Sequence, residues 1–170
     1  MAVCADFERL YDAHAQALFA FLLNLTRNEA DTRDLLQEVF IKIAQRPSIL
    51  DGARDEKAFL LRLAHNQAID LSRRRTARER NYAQLATELV DAFAPAKEPD
   101  TQAFREALSR ALGELPPEQR AVVHLKVWEE LTFEQVAAIL EIPTNTAASR
   151  YRYGLDKLRQ ELRPLYEEIK

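Results

Sequence analysis

The sequence is poor in the residues that disulfides, thiolate metal sites and tight strand turns require. Its 170 residues include one cysteine, Cys4, and three glycines. A single cysteine excludes an internal disulfide and a zinc site built from several thiolates of this chain. No run of alternating apolar and polar residues is bounded by turn residues, as a strand would be. Because 47 % of the residues are hydrophobic, the sequence predicts an all-α fold with enough apolar side chains for a core.

The sequence also lacks the marks of a secreted, membrane-inserted or catalytic protein. Its first residues have neither a basic flank nor a long apolar run, so we expect a cytoplasmic protein without membrane insertion. The three histidines, His14, His65 and His124, fall in separate predicted helices. No nucleophile, glycine-rich phosphate loop or metal-ligand spacing accompanies them. We therefore expect no enzyme activity, no cofactor, no metal and no small-molecule substrate.

Positive charge is concentrated in two short segments, although the whole chain has a net charge of -3. Residues 62–80 contain six arginines against Asp70 and Glu79, a local balance of +4. Residues 144–160 contain four cations against Asp156, a local balance of +3. Separate basic segments in a protein that is acidic overall are typical of a nucleic-acid footprint.

The first 80 residues repeat apolar side chains at steps of three and four, which predicts helices. A long first helix contains Phe7 to Leu25. Asn28 can cap a second helix over about residues 29–45, and a third helix spans about residues 55–74. Three helices make the first compact unit.

Residues 81–103 differ in composition from both flanks. They contain four acidic residues against Lys97, together with two prolines, and so predict an acidic, flexible linker. A second helical unit begins near Phe104. The predicted organisation is therefore two small helical domains, residues 1–80 and residues 104–170, joined by the linker.

Residues 131–162 have the pattern of a helix-turn-helix. Thr132, followed three residues later by Gln135, is a capping box for a first helix, and Pro143 forces a turn after that helix. A second helix resumes near Thr144 and carries the second basic segment. Because the start of such a helix enters the major groove, this pattern predicts DNA binding.

Three blocks resemble, in order, the bacterial extracytoplasmic-function (ECF) sigma factors of RNA polymerase that contain only regions 2 and 4. The blocks are DTRDLLQEVFIKI, FLLRLAHNQAIDLSRRR and LPPEQRAVVHLKVWEELTFEQVAAILEIPTNTAASRYRYGLDKLR. The resemblance covers nearly the whole chain, with region 2 in residues 1–80 and region 4 in residues 104–170. It implies a transcription initiation factor that binds the large-subunit clamp helices and flap of core RNA polymerase and reads the minus-ten and minus-35 elements of promoter DNA. It also implies an anti-sigma factor as a further partner.

In the first block the resemblance implies a surface for core polymerase on the second helix. Its residues are Asp31, Asp34, Gln37, Glu38 and Phe40. The polar members are spaced three and four apart, so an ordinary solvated helix face is the alternative interpretation. Arg33 stands where the family usually has an acidic residue, which weakens or shifts the contact.

In the second block the resemblance implies contacts to the minus-ten element. The residues are Phe59, Arg62, His65, Asn66, Asp70, Arg73, Arg74 and Arg75. Asn66 and the residues after it hold an extruded base of the melted strand, which requires hydrogen-bond edges as well as stacking, while the arginines bind phosphates. Phe59 stands where the family usually has tryptophan, and core packing is its alternative role. The arginine run has the alternative role of a solvated helix cap.

In the third block the resemblance implies contacts to the minus-35 element. The residues are Thr144, Asn145, Thr146, Ser149, Arg150, Arg152 and Lys157. Arg150 is the best single candidate for a bidentate contact to guanine, while Arg152 and Lys157 suit phosphates. Glu141 replaces a customary turn glycine. Ala147 and Ala148 replace an aliphatic residue and a cation, and their small size is expected to let the helix sit closer to the bases.

Two other classes of function fit parts of the sequence. A stand-alone transcription factor with a helical dimerisation domain would account for the third block, and it would bind duplex promoter DNA tightly without polymerase. A helical interaction protein that does not bind DNA would need neither of the two basic segments.

Overall fold

The computed structural model describes residues 2–75 and 99–169. Within those ranges the chain forms seven α-helices, one short 3-10 helix and no strand. The all-helical fold predicted from the sequence is therefore confirmed. Contacts between residues divide the chain into two compact units, Met1–Arg80 (unit 1) and Asn81–Lys170 (unit 2). Residues 81–98, most of the predicted linker, lie outside the described residues.

Unit 1 is built from three helices, α1 (Ala2–Thr26), α2 (Glu29–Gln45) and α3 (Glu56–Arg75), with a 3-10 helix at Pro47–Leu50 before α3. Each helix packs against the other two. The core consists of apolar side chains from all three helices, chiefly Leu10, Leu18, Phe21, Leu22, Leu23, Leu35, Val39, Phe40, Ile43, Leu60 and Leu61. This three-helix arrangement is the one that the apolar spacing predicts.

A hydrogen-bonded turn fixes the start of α2. Arg27 has a left-handed φ of 57°, which ends α1. The Asn28 side chain then accepts a hydrogen bond from the Asp31 backbone N–H at 3.0 Å, as an N-cap residue does. The Thr32 hydroxyl donates to the Asn28 carbonyl at 2.8 Å. The first turn of α2, where Asp31 lies, is therefore held firmly in place.

Unit 2 contains four helices, α4 (Pro99–Glu114), α5 (Pro117–Val127), α6 (Phe133–Leu140) and α7 (Thr144–Ile169). Helix α7 packs against each of the other three. Buried side chains at their centre are Ala111, Leu112, Leu115, Val123 and Leu158. Helix α4 begins at Pro99 rather than near Phe104, so residues 99–103 of the predicted linker are helical. Proline suits this position because the first helical residue needs no backbone N–H donor.

Helices α5 and α7 approach closely at Gly154. A Cβ atom added to Gly154 would lie 2.8 Å from Val123 Cγ2, and Val123 is only 1 % exposed. We expect Gly154→Ala to destabilise unit 2 by about 1–3 kcal/mol through overpacking, although alanine is the better helix former. Denaturant unfolding followed by the fluorescence of the single tryptophan, Trp128, measures this, because Trp128 packs against the core of unit 2.

The control is the same substitution in a chain that already carries Val123→Ala. That change removes Cγ2, so Gly154→Ala should then be neutral or should stabilise unit 2 by about 1 kcal/mol. Equal destabilisation in the two backgrounds would mean that contact with Val123 is not the reason for glycine at this position.

Candidate nucleic-acid and protein interfaces

A groove of about 610 Å³ lies between α1 and α2. Its lining includes three aromatic rings: the Phe40 ring centroid is 4.8 Å from that of Tyr11 and 5.9 Å from that of Phe7. Tyr11 and Ile41 are 45 % and 47 % exposed. Contiguous apolar side chains left this accessible are typical of a surface that binds another protein. We call this surface the α1–α2 groove.

Three of the five residues predicted to contact polymerase line this groove, and two do not. Asp34 and Gln37 are exposed and line the groove, together with Phe40. Phe40 is only 4 % exposed, so most of its ring belongs to the core of unit 1. Glu38 is exposed but is not a lining residue. Asp31 forms an ion pair with Arg75 and is not a lining residue either.

Sequence reasoning missed the contribution of α1 to this groove. Phe7 and Tyr11 belong to the apolar repeat that predicts α1, and such a repeat ordinarily faces the core, yet Tyr11 is exposed in the groove. Ile41 was also missed. Its position next to Phe40, outside the buried repeat of α2, was the available signal, but a single aliphatic side chain on the solvent face of a helix does not by itself mark a binding surface.

Helix α3 presents a continuous row of the predicted minus-ten residues. Phe59, Arg62, Asn66, Asp70 and Arg73 are three or four residues apart and therefore share one face. Phe59 is half-buried, and the other four are exposed. The Arg62 guanidinium carbon lies 5.7 Å from the centroid of the Phe59 ring, a cation–π distance. We call this row the α3 stripe.

The neighbouring predicted residues of α3 lie beside or beyond this stripe. His65 is half-buried, and its ring stacks on Phe21 of α1 with centroids 6.5 Å apart. Arg74 and Arg75 are exposed in the last turn of α3, where cations favour the negative end of the helix dipole. The amide buried in α3 is Gln67, not Asn66, so Asn66 keeps its hydrogen-bonding edges accessible.

The start of α3 is tied to α1 by charge. Glu56 accepts hydrogen bonds of 3.0 and 3.3 Å from the Arg9 guanidinium, and His14 Nε2 lies 3.6 Å from the same carboxylate. The bond from Arg9 is the main reason that the pKa of Glu56 lies below its ordinary value. This contact fixes the end of α3 opposite to the arginine run.

Helices α6 and α7 form the predicted helix-turn-helix. The Thr132 hydroxyl accepts from the Gln135 N–H at 3.2 Å, and the Thr132 N–H donates to the Gln135 side chain at 2.9 Å. The capping box is therefore confirmed. Glu141 occupies the left-handed position of the turn with a φ of 56°, where glycine would be less strained. Helix α7 then begins at Thr144, as predicted.

The first turns of α7 show which residues point away from the unit. Ala147, Gly154 and Leu158 are buried. Ala147 is 0 % exposed, so the expectation that it lets the helix approach the bases is wrong: its methyl group packs inside unit 2. On the opposite side, Asn145, Ser149 and Arg152 are four and three residues apart and form one line. We call these three residues the outward line of α7.

The other predicted minus-35 residues flank this line. Thr144 is exposed, whereas Thr146 and Arg150 are half-buried. The Arg152 guanidinium carbon lies 5.4 Å from the centroid of the Tyr153 ring, and Tyr153 is 58 % exposed. Lys157 donates from Nζ to the Glu114 carbonyl at 2.9 Å, at the end of α4. Arg152 is thus the cation on the outward line, and Lys157 has a partner within unit 2.

Across residues 2–75 and 99–169, no cluster of histidine, cysteine, aspartate and glutamate side chains could hold a metal ion. None of the helices described there has the length and apolar character needed to cross a membrane.

Comparisons with known proteins agree with the division into two units. The models for Sigma-70 region 2 and Sigma-70 region 4 match residues 10–78 and 111–160. The ECF RNA polymerase sigma factor SigL of Mycobacterium tuberculosis is 32 % identical over 170 residues, covering 96 % of this chain and 93 % of that protein. The ECF sigma factor SigX of Bacillus subtilis is 30 % identical over 168 residues, covering 96 % and 87 %.

A solved structure has the same fold. The sigma factor RpoE of Bartonella quintana, crystallised with the anti-sigma factor NepR, matches with a TM-score of 0.69 and 23 % identity, covering 93 % of this chain and 97 % of that chain. Both regions are therefore present in the order that the three sequence blocks predicted, and the relatives match along almost the whole chain. The chain belongs to the ECF RNA polymerase sigma factors, a family of transcription initiation factors.

Proposed function

We propose that this chain binds core RNA polymerase through the α1–α2 groove and directs it to promoters through the α3 stripe and the outward line of α7. The observation that carries the proposal is the placement of these surfaces. The groove and the stripe lie in the unit that matches region 2, and the outward line lies in the helix-turn-helix that matches region 4. Each surface leaves exposed the kind of side chain that its partner needs.

The α1–α2 groove fits a helical segment of polymerase. Apolar anchors surrounded by polar groups are the usual anatomy of a protein interface. Tyr11 and Ile41 supply exposed apolar area, while Asp34 and Gln37 supply polar groups. In this proposal Asp34 and Gln37 orient the partner, and the apolar side chains provide most of the binding energy.

The α3 stripe fits a single strand of the melted minus-ten element. Single-strand binding combines aromatic or cationic stacking surfaces with basic groups along the backbone. Phe59 and Arg62 form such a stacked pair, and Asn66 offers a donor and an acceptor to a base edge. Arg73 within the stripe and Arg74 beyond it supply charge for phosphates.

The outward line of α7 fits the major groove of the minus-35 element. A recognition helix reads bases with the face that points away from its own domain. Asn145 and Arg152 are exposed on that face and Ser149 is half-buried between them, whereas Arg150 is half-buried on the flank. The geometry therefore favours Arg152 for a base and Arg150 for a phosphate, the reverse of the roles predicted from the sequence.

An anti-sigma factor remains a proposed partner. Such a protein would keep this chain from polymerase if it covered the α1–α2 groove, because the two partners would need the same exposed apolar residues. A helix with apolar side chains at i, i+3 or i+4 spacing would suit that surface.

Run-off transcription tests the proposed function. Core polymerase with and without the full-length chain is incubated with a pooled library of genomic fragments. We expect a set of transcripts that start at specific sites only when the chain is present. No such transcripts from a folded chain would contradict the proposal. Tight binding of the chain alone to the same promoters would instead favour a stand-alone transcription factor.

The hydrogen bond from Lys157 to the end of α4 leads to a separate prediction. We expect Lys157→Met to lower the free energy of unfolding of unit 2 by about 0.5–1.5 kcal/mol, because the Glu114 carbonyl loses its donor. The salt dependence of holoenzyme binding to a promoter should stay unchanged. If Lys157 bound a phosphate, the slope of log K against log salt would fall by about 1. Arg159→Met, at a more exposed cation of the same helix, is the control for lost charge.

A further inference from the structure

Two residues that the sequence assigns to different partners are bound to each other. Asp31 was predicted to contact polymerase, and Arg75 was predicted to contact minus-ten DNA. They are 44 residues apart in the sequence and form an ion pair between the first turn of α2 and the last turn of α3. The pair therefore connects the helix proposed to bind polymerase with the basic end of the helix proposed to bind DNA.

The Asp31 carboxylate is poorly placed to bind another protein. Its side chain is only 13 % exposed, whereas Asp34, Gln37 and Glu38 are exposed. Its backbone N–H is held by the Asn28 cap at 3.0 Å, which fixes the backbone from which the side chain projects. Asp31 is thus a largely covered acceptor that is paired with α3.

The Arg75 guanidinium, by contrast, has capacity for a second partner. Its side chain is 52 % exposed, and it donates to Asp31 from Nη1. A guanidinium has five N–H donors in one plane, so one edge can bind a carboxylate while another binds a phosphate oxygen. Lysine has no such planar arrangement. Arg73, Arg74 and Arg75 are adjacent cations that repel one another. The ion pair holds the Arg75 guanidinium in a defined direction despite that repulsion.

We propose that Asp31 is a positioning residue for minus-ten recognition: by holding Arg75 through one edge of its guanidinium, it points the remaining donors at a phosphate of the promoter. Asp31 then acts through Arg75 and makes no direct contact with polymerase. This inference rests on the proposed function, because it requires that the end of α3 lies against DNA. It changes the role of one predicted polymerase residue and explains why that residue is covered.

Holoenzyme reconstituted from core polymerase and full-length chain tests the inference, with a promoter recovered by run-off transcription. The variants are Asp31→Asn, Arg75→Gln, the double variant of these two, and the charge swap Asp31→Arg with Arg75→Asp. For each we measure affinity for core polymerase, affinity of the holoenzyme for the promoter over a salt series, and the thermal unfolding of the free chain. Asp34→Asn is the control for loss of a carboxylate on the same helix, at a residue that lines the α1–α2 groove.

We expect Asp31→Asn to leave the affinity for core polymerase within about twofold and to weaken promoter binding about three- to fivefold, the scale of one exposed ion pair. Arg75→Gln should weaken promoter binding further and reduce the salt slope by about 1. The double variant should match Arg75→Gln, because Asp31 acts through Arg75. The charge swap re-forms an ion pair, so the midpoint temperature of thermal unfolding should return to that of the unmodified chain. Promoter binding should not recover, since the swap places a carboxylate beside a phosphate.

Three results would overturn the inference. The first is a large loss of polymerase affinity in Asp31→Asn, and the second is unchanged promoter binding in that variant. The third is full recovery of promoter binding by the charge swap, because the pair would then have a purely structural role. Failure of the proposed function is distinguishable from all three. It would appear in the unmodified chain, as the absence of promoter-specific transcripts.

Discussion

Replacing Ile41 with glutamate is expected to lower the affinity of this sigma factor for core polymerase by about 30- to 150-fold, the range of a hot-spot residue worth 2–3 kcal/mol. Ile41 is 47 % exposed in the free chain, so the substitution removes little from the core of unit 1. In the complex, however, the carboxylate would lose its water against the apolar surface of the partner, which is costly. Equilibrium binding of a labelled chain to core polymerase measures the loss.

The matched control is Lys42→Glu, which introduces the same side chain one residue away on α2. Lys42 is exposed and is not a lining residue of the groove. We expect that variant to bind polymerase within a few-fold of the original chain, apart from a small loss of helix stability at the end of α2. Similar losses in both variants would indicate a general charge effect, and unchanged binding of Ile41→Glu would place the polymerase surface elsewhere.

This prediction depends on features that the sequence could not reveal. The polar stripe of α2 was predictable, because Asp34, Gln37 and Glu38 follow the helical repeat. The apolar part of the groove was not, since it requires Tyr11 of α1 to lie beside Phe40 of α2, and only the packing of the two helices decides that. Periodicity within one helix assigns a side chain to a face but does not tell whether another helix covers that face.

Other features of the fold depended on local sequence and were predictable for that reason. The capping box at Thr132, the turn before Pro143 and the start of α7 at Thr144 are determined by residues within four positions of each other. The shared face of Phe59, Arg62 and Asn66 likewise follows from helical spacing alone. Contacts between residues far apart in the sequence were not predictable in this way, and the sequence analysis assigned those side chains to other partners.

The bonds of Arg75 to Asp31 and of Lys157 to Glu114 illustrate this limit. They join residues 44 and 43 positions apart. A basic residue near the end of a predicted DNA-binding helix has the same sequence pattern whether it faces a phosphate or a carbonyl of its own domain. The charge of a segment therefore predicted the class of function, nucleic-acid binding. The partner of each individual cation could be assigned only from the packing of its helix.

Arg152→Ala is expected to abolish discrimination at one base pair of the minus-35 element, a loss of about 1–3 kcal/mol for the preferred base. Arg152 lies exposed on the outward line of α7, with its guanidinium carbon 5.4 Å from the centroid of the Tyr153 ring. From that position a bidentate guanidinium contact can reach a base edge in the major groove. The measurement is holoenzyme affinity for a promoter series in which each minus-35 base pair is replaced in turn.

Arg150→Ala should behave differently in the same promoter series. Because Arg150 is half-buried on the flank of α7, we expect its loss to weaken binding to all promoters about equally and to reduce the salt slope by about 1, as a phosphate contact does. If Arg150→Ala instead removed the preference at a single base pair and Arg152→Ala weakened every promoter alike, the roles predicted from the sequence would be correct. The two variants together thus decide whether the exposed face of α7 or its sequence pattern identifies the residue that reads the base.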